Sequence, residues 1–119
     1  MVTKKSNCNE AKGCPITATM ELIGGKWKPV ILYNLTFDTR RFGEISARIP
    51  SISRKVLTQQ LKELEKDGLV IRREFKEIQP RVEYSLTEKG RSLEAVFNEI
   101  ADWGIKNLLA KPINVPKCF

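Results

Sequence analysis

Apolar positions recur with a helical period along most of the chain, and proline and glycine mark the interruptions. After Cys14-Pro15, Ile16, Met20 and Ile23 fall three or four residues apart, which predicts a helix with proline in its first turn. Gly24-Gly25 stops it. Trp27, Val30, Ile31, Leu32 and Leu35 then predict a second helix ending near Phe37-Asp38, with Pro29 in its first turn, where a missing N–H costs little. A third helix, capped by Thr39, carries Phe42, Ile45 and Ile49 on one side and ends at Pro50. Only Pro50-Ser51-Ile52 separates it from a fourth, which Ser53 caps and Asp67-Gly68 terminates.

The period changes after Gly68. Val82, Tyr84 and Leu86 alternate strictly, and Val70, Ile71 and Phe75 favour strands. Residues 69–86 therefore predict a β-hairpin with its tip at Lys76–Arg81. Helical spacing returns after Thr87, which caps one long last helix with the stripe Leu93, Val96, Phe97, Ile100, Gly104 and Leu108, and Trp103 beside it. Two helices joined by a tight turn and followed by a hairpin make a winged helix-turn-helix. The expected fold is mainly α with a small β-hairpin, with one unit over residues 14–110. A loose polar arm (1–13) precedes it and a non-helical tail (111–119) follows.

With 119 residues, 41% hydrophobic and 29% charged, the chain is an ordinary single globular domain. It has no apolar run near the ~20 residues of a membrane span, and no apolar segment follows the N-terminal lysines as in a secretory signal. The expected location is the cytoplasm, with no membrane association. The net charge of +7 is unevenly placed. Residues 40–62 hold Arg40, Arg41, Arg48, Arg54, Lys55 and Lys62 against Glu44 alone, whereas residues 83–110 are mildly acidic. A basic footprint on one part of a small domain points to a polyanion such as double-stranded DNA.

The fourth helix sharpens that reading. With Leu57 at zero on a wheel of ~100° per residue, Leu61 and Leu64 fall within about 40° of it and form the buried stripe. The other side carries Lys55, Thr58, Gln59 and Lys62, flanked by Arg54, and carboxylates begin only at Glu63. A recognition helix enters the major groove by its N-terminal part, where acid would repel phosphate. Gln59 suits adenine, Thr58 a thymine methyl or a hydrogen bond, and Lys55 and Arg54 suit guanine or phosphate. The helix start at Ser53 favours a phosphate. Cations there oppose the helix dipole, so another interaction should favour them. Arg40 and Arg41 are candidate phosphate clamps, and Lys76, Gln79 and Arg81 are the wing's candidates.

CPITATMELIGGKWKPVILYNL, RFGEISARIPSISRKVLTQQLKELEKDGLVIRR and VEYSLTEKG together resemble the HxlR-type winged helix-turn-helix transcription regulators, over about Cys14 to Trp103. The resemblance implies a bacterial or archaeal regulator that binds a two-fold operator as a homodimer held by its first and last helices. The dimerisation residues would be Ile16, Met20, Phe97, Ile100, Trp103 and Leu108. It also implies that Cys14, in its Cys-Pro-Ile setting, is a candidate sensor of an oxidant or small electrophile, with Cys8 or Cys118 as resolving thiol. The helix dipole favours thiolate at such a position. The other reading of Cys14 is a small apolar residue at a helix start.

The chain has no histidine, so a Ser-His or Cys-His nucleophile is excluded. Three cysteines, with Cys8 and Cys14 too far apart for a zinc knuckle, give no structural zinc set. No enzyme activity, metal or cofactor is expected. The rival function is a winged-helix module used for protein contacts, its charge being only a surface.

Overall fold

A computed structural model describes residues 13–109. The elements run α1 (Pro15–Ile23), α2 (Lys28–Phe37), β1 (Arg40–Arg41), α3 (Phe42–Arg48), α4 (Arg54–Lys66), β2 (Val70–Phe75), β3 (Arg81–Leu86), α5 (Glu88–Arg91) and α6 (Glu94–Leu108). The fold is a winged helix-turn-helix. Its strands form one antiparallel sheet in the order β1-β3-β2, with Arg41 opposite Glu83 on one side of β3 and Arg73 opposite Glu83 on the other.

The helix-turn-helix is set by local chemistry. Pro50 follows the end of α3, and Ile52 turns inward and is buried. The Ser53 hydroxyl then accepts the Val56 N–H at 3.1 Å, capping α4. Gly68, at φ +79°, ends α4 in the left-handed conformation that glycine adopts without strain. Leu57, Leu61 and Leu64 of α4 join Ile31, Leu32 and Leu35 of α2, Ile45 of α3 and Tyr84 and Leu86 of β3 in one core.

A second set of contacts locks the wing to the corner after α4. Thr87 donates its hydroxyl to the Gly68 carbonyl (2.6 Å) and its N–H to the Leu69 carbonyl (3.0 Å). The same hydroxyl accepts the Gly90 N–H at 2.9 Å, capping α5. Gly90 lies so close that a Cβ there would sit 2.2 Å from the Leu69 carbonyl oxygen. The Thr-Glu-Lys-Gly segment therefore sets the corner that positions the wing.

Three expectations change. Thr39 does not cap α3: Arg40 and Arg41 first pair with Tyr84 and Glu83, and the helix begins at Phe42. The sheet accordingly has three strands, not two. The long last helix is divided, because Thr87 caps the short α5 and α6 starts afresh at Glu94. The arm, the tail, Cys8 and Cys118 lie outside the described residues, apart from Gly13.

Candidate nucleic-acid interface

The face of α4 opposite its three leucines carries Lys55, Thr58, Gln59 and Lys62, with Arg54 at its flank, all exposed. Three of them make distinct contacts within the chain. The Arg54 guanidinium lies 4.8 Å from the centre of the Phe42 ring, tying the start of α4 to α3 through a cation–π contact. The Thr58 hydroxyl donates to the Arg54 carbonyl at 2.8 Å, which leaves its oxygen as an acceptor. Gln59 sends its Nε2 toward Glu63 Oε2 at 3.4 Å.

Glu63 is the carboxylate nearest this face along the helix, and it is neutralised from outside α4. Lys28, at the start of α2, places its Nζ 2.8 Å from Glu63 Oε1, and the lysine side chain is only 13% exposed. The hydrogen bond from Lys28, and then its positive charge, hold the Glu63 carboxyl below the ordinary carboxylate range. The sequence marks Glu63 only as the first carboxylate of α4, and nothing in it singles out Lys28 as its partner. They lie far apart along the chain, and no periodicity links them.

The flanking candidates divide into outward-facing and committed groups. Arg41 is exposed, and its N–H is taken by the Glu44 carboxylate at 2.8 Å. Arg40 is half-buried, with Nε donating to the Asn34 carbonyl of α2 at 3.3 Å. Lys76 and Gln79 are exposed between β2 and β3, beside an Ile78 that is 100% exposed. Arg81 is the first residue of β3 and not part of the tip. Its guanidinium bonds Glu77 (2.5 Å) and Glu83 (2.9 Å) and covers the Phe75 ring at 4.2 Å. Those carboxylates, Glu83 first, raise its pKa above the usual arginine value. Arg81 thus braces the base of the wing.

Away from this face, Cys14 is 2% exposed at the N-cap of α1, and its carbonyl accepts the Ala18 N–H at 3.0 Å. Ile16 and Met20 of α1 and Ile100, Trp103 and Leu108 of α6 are exposed. Phe97 differs from these. It is buried in this chain's own core, its ring 6.4 Å from that of Tyr33 on α2. Among the described residues no group of three or more Cys, Asp or Glu could hold a metal, and no helix is long and apolar enough to cross a membrane.

Sequence and structure comparisons agree with this architecture. The family model described as HxlR-like helix-turn-helix matches residues 22–112. The HTH-type transcriptional regulator YdeP of Bacillus subtilis strain 168 is 47% identical over 98 residues, covering 82% of this chain and 77% of the relative. The redox regulator HypR in its reduced form superposes with a TM-score of 0.75 at 44% identity, covering 78% of this chain and 92% of that one. The reduced transcriptional regulator YodB from B. subtilis gives a TM-score of 0.70 at 40% identity, covering 80% and 94%. The chain belongs to the HxlR-like helix-turn-helix family. It is a DNA-binding transcription regulator and not an enzyme.

Proposed function

We propose that the chain acts in the cytoplasm as a homodimer on a two-fold DNA operator, with the N-terminal half of α4 reading bases in the major groove. The exposed face of α4 carries this reading. It offers cations, a hydroxyl and an amide, and the first carboxylate along it is bonded to Lys28. Arg41 beside it and Lys76 and Gln79 at the wing contact phosphate, positioning the helix without specifying sequence. Arg40 and Arg81 support the surface from behind through their bonds to Asn34 and to the wing glutamates.

The exposed apolar residues of α1 and α6 support the dimer, since such surface on a small domain marks an interaction site. A dimer carries two copies of α4, which call for half-sites one helical turn apart. Oxidation of the Cys14 thiol, or its addition to a small electrophile, gates binding. Its place at the head of α1, among the proposed dimer helices, supports this, as does the likeness to a protein described as a redox regulator.

Selection from a random duplex pool tests the reading. Reduced protein is expected to enrich a two-fold motif with half-sites about 10 bp apart. Mild oxidation should abolish enrichment for the native chain and spare it for Cys14→Ser. Absence of enrichment in either state would contradict base reading and favour a protein-contact module.

A further inference from the structure

The Lys28–Glu63–Gln59 chain of contacts crosses from α2 to the reading face of α4. Glu63 uses one carboxylate oxygen for Lys28 Nζ (2.8 Å) and the other for Gln59 Nε2 (3.4 Å). A carboxylate only accepts hydrogen bonds, so the amide must turn its NH2 group toward it. The carbonyl oxygen of the exposed Gln59, and the second N–H of the same NH2 group, are then not used by Glu63.

We infer that Lys28 and Glu63 are positioning residues that lock the Gln59 amide in the orientation that reads adenine and rejects guanine. The inference rests on the proposal that α4 reads bases. Adenine's major-groove edge presents one acceptor, N7, and one donor, the N6 amine, which the second N–H and the carbonyl oxygen of a locked glutamine match. Guanine presents two acceptors, N7 and O6. A freely rotating glutamine could turn its NH2 toward either, whereas one pinned by Glu63 meets guanine with its carbonyl oxygen against an acceptor. The lock needs a fixed carboxylate, and Lys28 holds it by its Oε1, leaving Oε2 toward Gln59. The same ion pair removes the electrostatic objection to a carboxylate one turn from the reading face. Lys28 is itself mostly covered, so its ammonium is held in place.

The test uses full-length protein and duplexes carrying the motif enriched in the selection, with each position replaced in turn by every other base pair. Gln59→Ala first identifies the position that Gln59 reads, where discrimination should fall by about tenfold or more. Lys28→Met and Glu63→Gln should lower the adenine-to-guanine ratio at that same position and leave the preferences at other positions unchanged. Lys28→Arg, which keeps the charge and the donor, should restore the ratio. In the Gln59→Ala background, Lys28→Met should change the ratio no further. Far-UV circular dichroism and thermal melts verify folding, and the near-isosteric Glu63→Gln serves if Lys28→Met is unstable. If Lys28→Met and Glu63→Gln lower affinity for all duplexes alike, the pair is only a structural tie and the inference is overturned. If Gln59→Ala shows no position-specific loss, base reading by Gln59 fails first, and the inference falls with it.

Discussion

α4 and α6 are helices of similar length, 13 and 15 residues, and both are amphipathic, yet they dispose of their apolar surface in opposite ways. α4 buries Leu57, Leu61 and Leu64 in its own chain and shows water a polar, cationic face. α6 buries Phe97 against Tyr33, but Val96, Ile100 and Trp103, which fall within a sector of about 60° on a second face, stay exposed, Trp103 to 60%. One helix has satisfied its hydrophobic requirement and presents chemistry suited to a polyanion. The other has apolar surface left over for a second protein surface. This division of labour suits the proposed homodimer that reads DNA.

The largest expected effect breaks the α4 half of the contrast. Leu61→Ala removes a buried side chain from the centre of the core and should cost about 2–5 kcal/mol of stability, measured by denaturant unfolding. Trp103→Asp should instead leave the helical content intact while dissociating the proposed dimer. Affinity for a two-half-site duplex should then fall by about a hundredfold or more, because the second half-site is no longer held at high effective concentration. Sedimentation velocity and titration of the duplex together check this. A Trp103→Asp protein that unfolds would place α6 in the same class as α4.

Gly90→Ala probes the corner that carries the wing. The added Cβ meets the Leu69 carbonyl oxygen, so a loss of about 1–3 kcal/mol is expected in thermal or denaturant unfolding. The smallest effect concerns Glu63. Its pKa is lowered in the folded chain from the ordinary 4.5, so the Lys28 pair contributes fully above that value. The contribution is lost as pH falls through the lower folded value. Denaturant midpoints followed on the acid side should therefore drop less steeply in Lys28→Met than in the native chain.

The legible parts of the fold were those with local causes. Pro15, Gly24-Gly25, Ser53 and Gly68 bound their helices as their backbone chemistry requires, and the Leu57, Leu61 and Leu64 stripe is the buried one. β1 escaped notice because two residues carry no period, and its pairing with β3 depends on partners more than forty residues away. The break between α5 and α6 escaped because Leu93 keeps the helical spacing across it. On the candidate interface, the exposed face of α4 could be read from the wheel alone. Electrostatic commitments could not be. Arg81 looked like a cation at the wing tip until Glu77 and Glu83 were seen around it, and the Lys28–Glu63 pair has no sequence signature.

The central claim is that the cationic face of α4, presented twice by a dimer, binds DNA. The most direct measurement is the affinity of the reduced chain for a duplex with both half-sites, taken across a range of salt concentrations. Each phosphate contact contributes about −0.9 to the slope of log K against log salt. A steep slope, shallower by about 0.9 for each Arg41 removed from the two subunits, is the predicted result. A slope near zero, unchanged in Arg41→Ala, would contradict the account and leave the basic face a solvated surface.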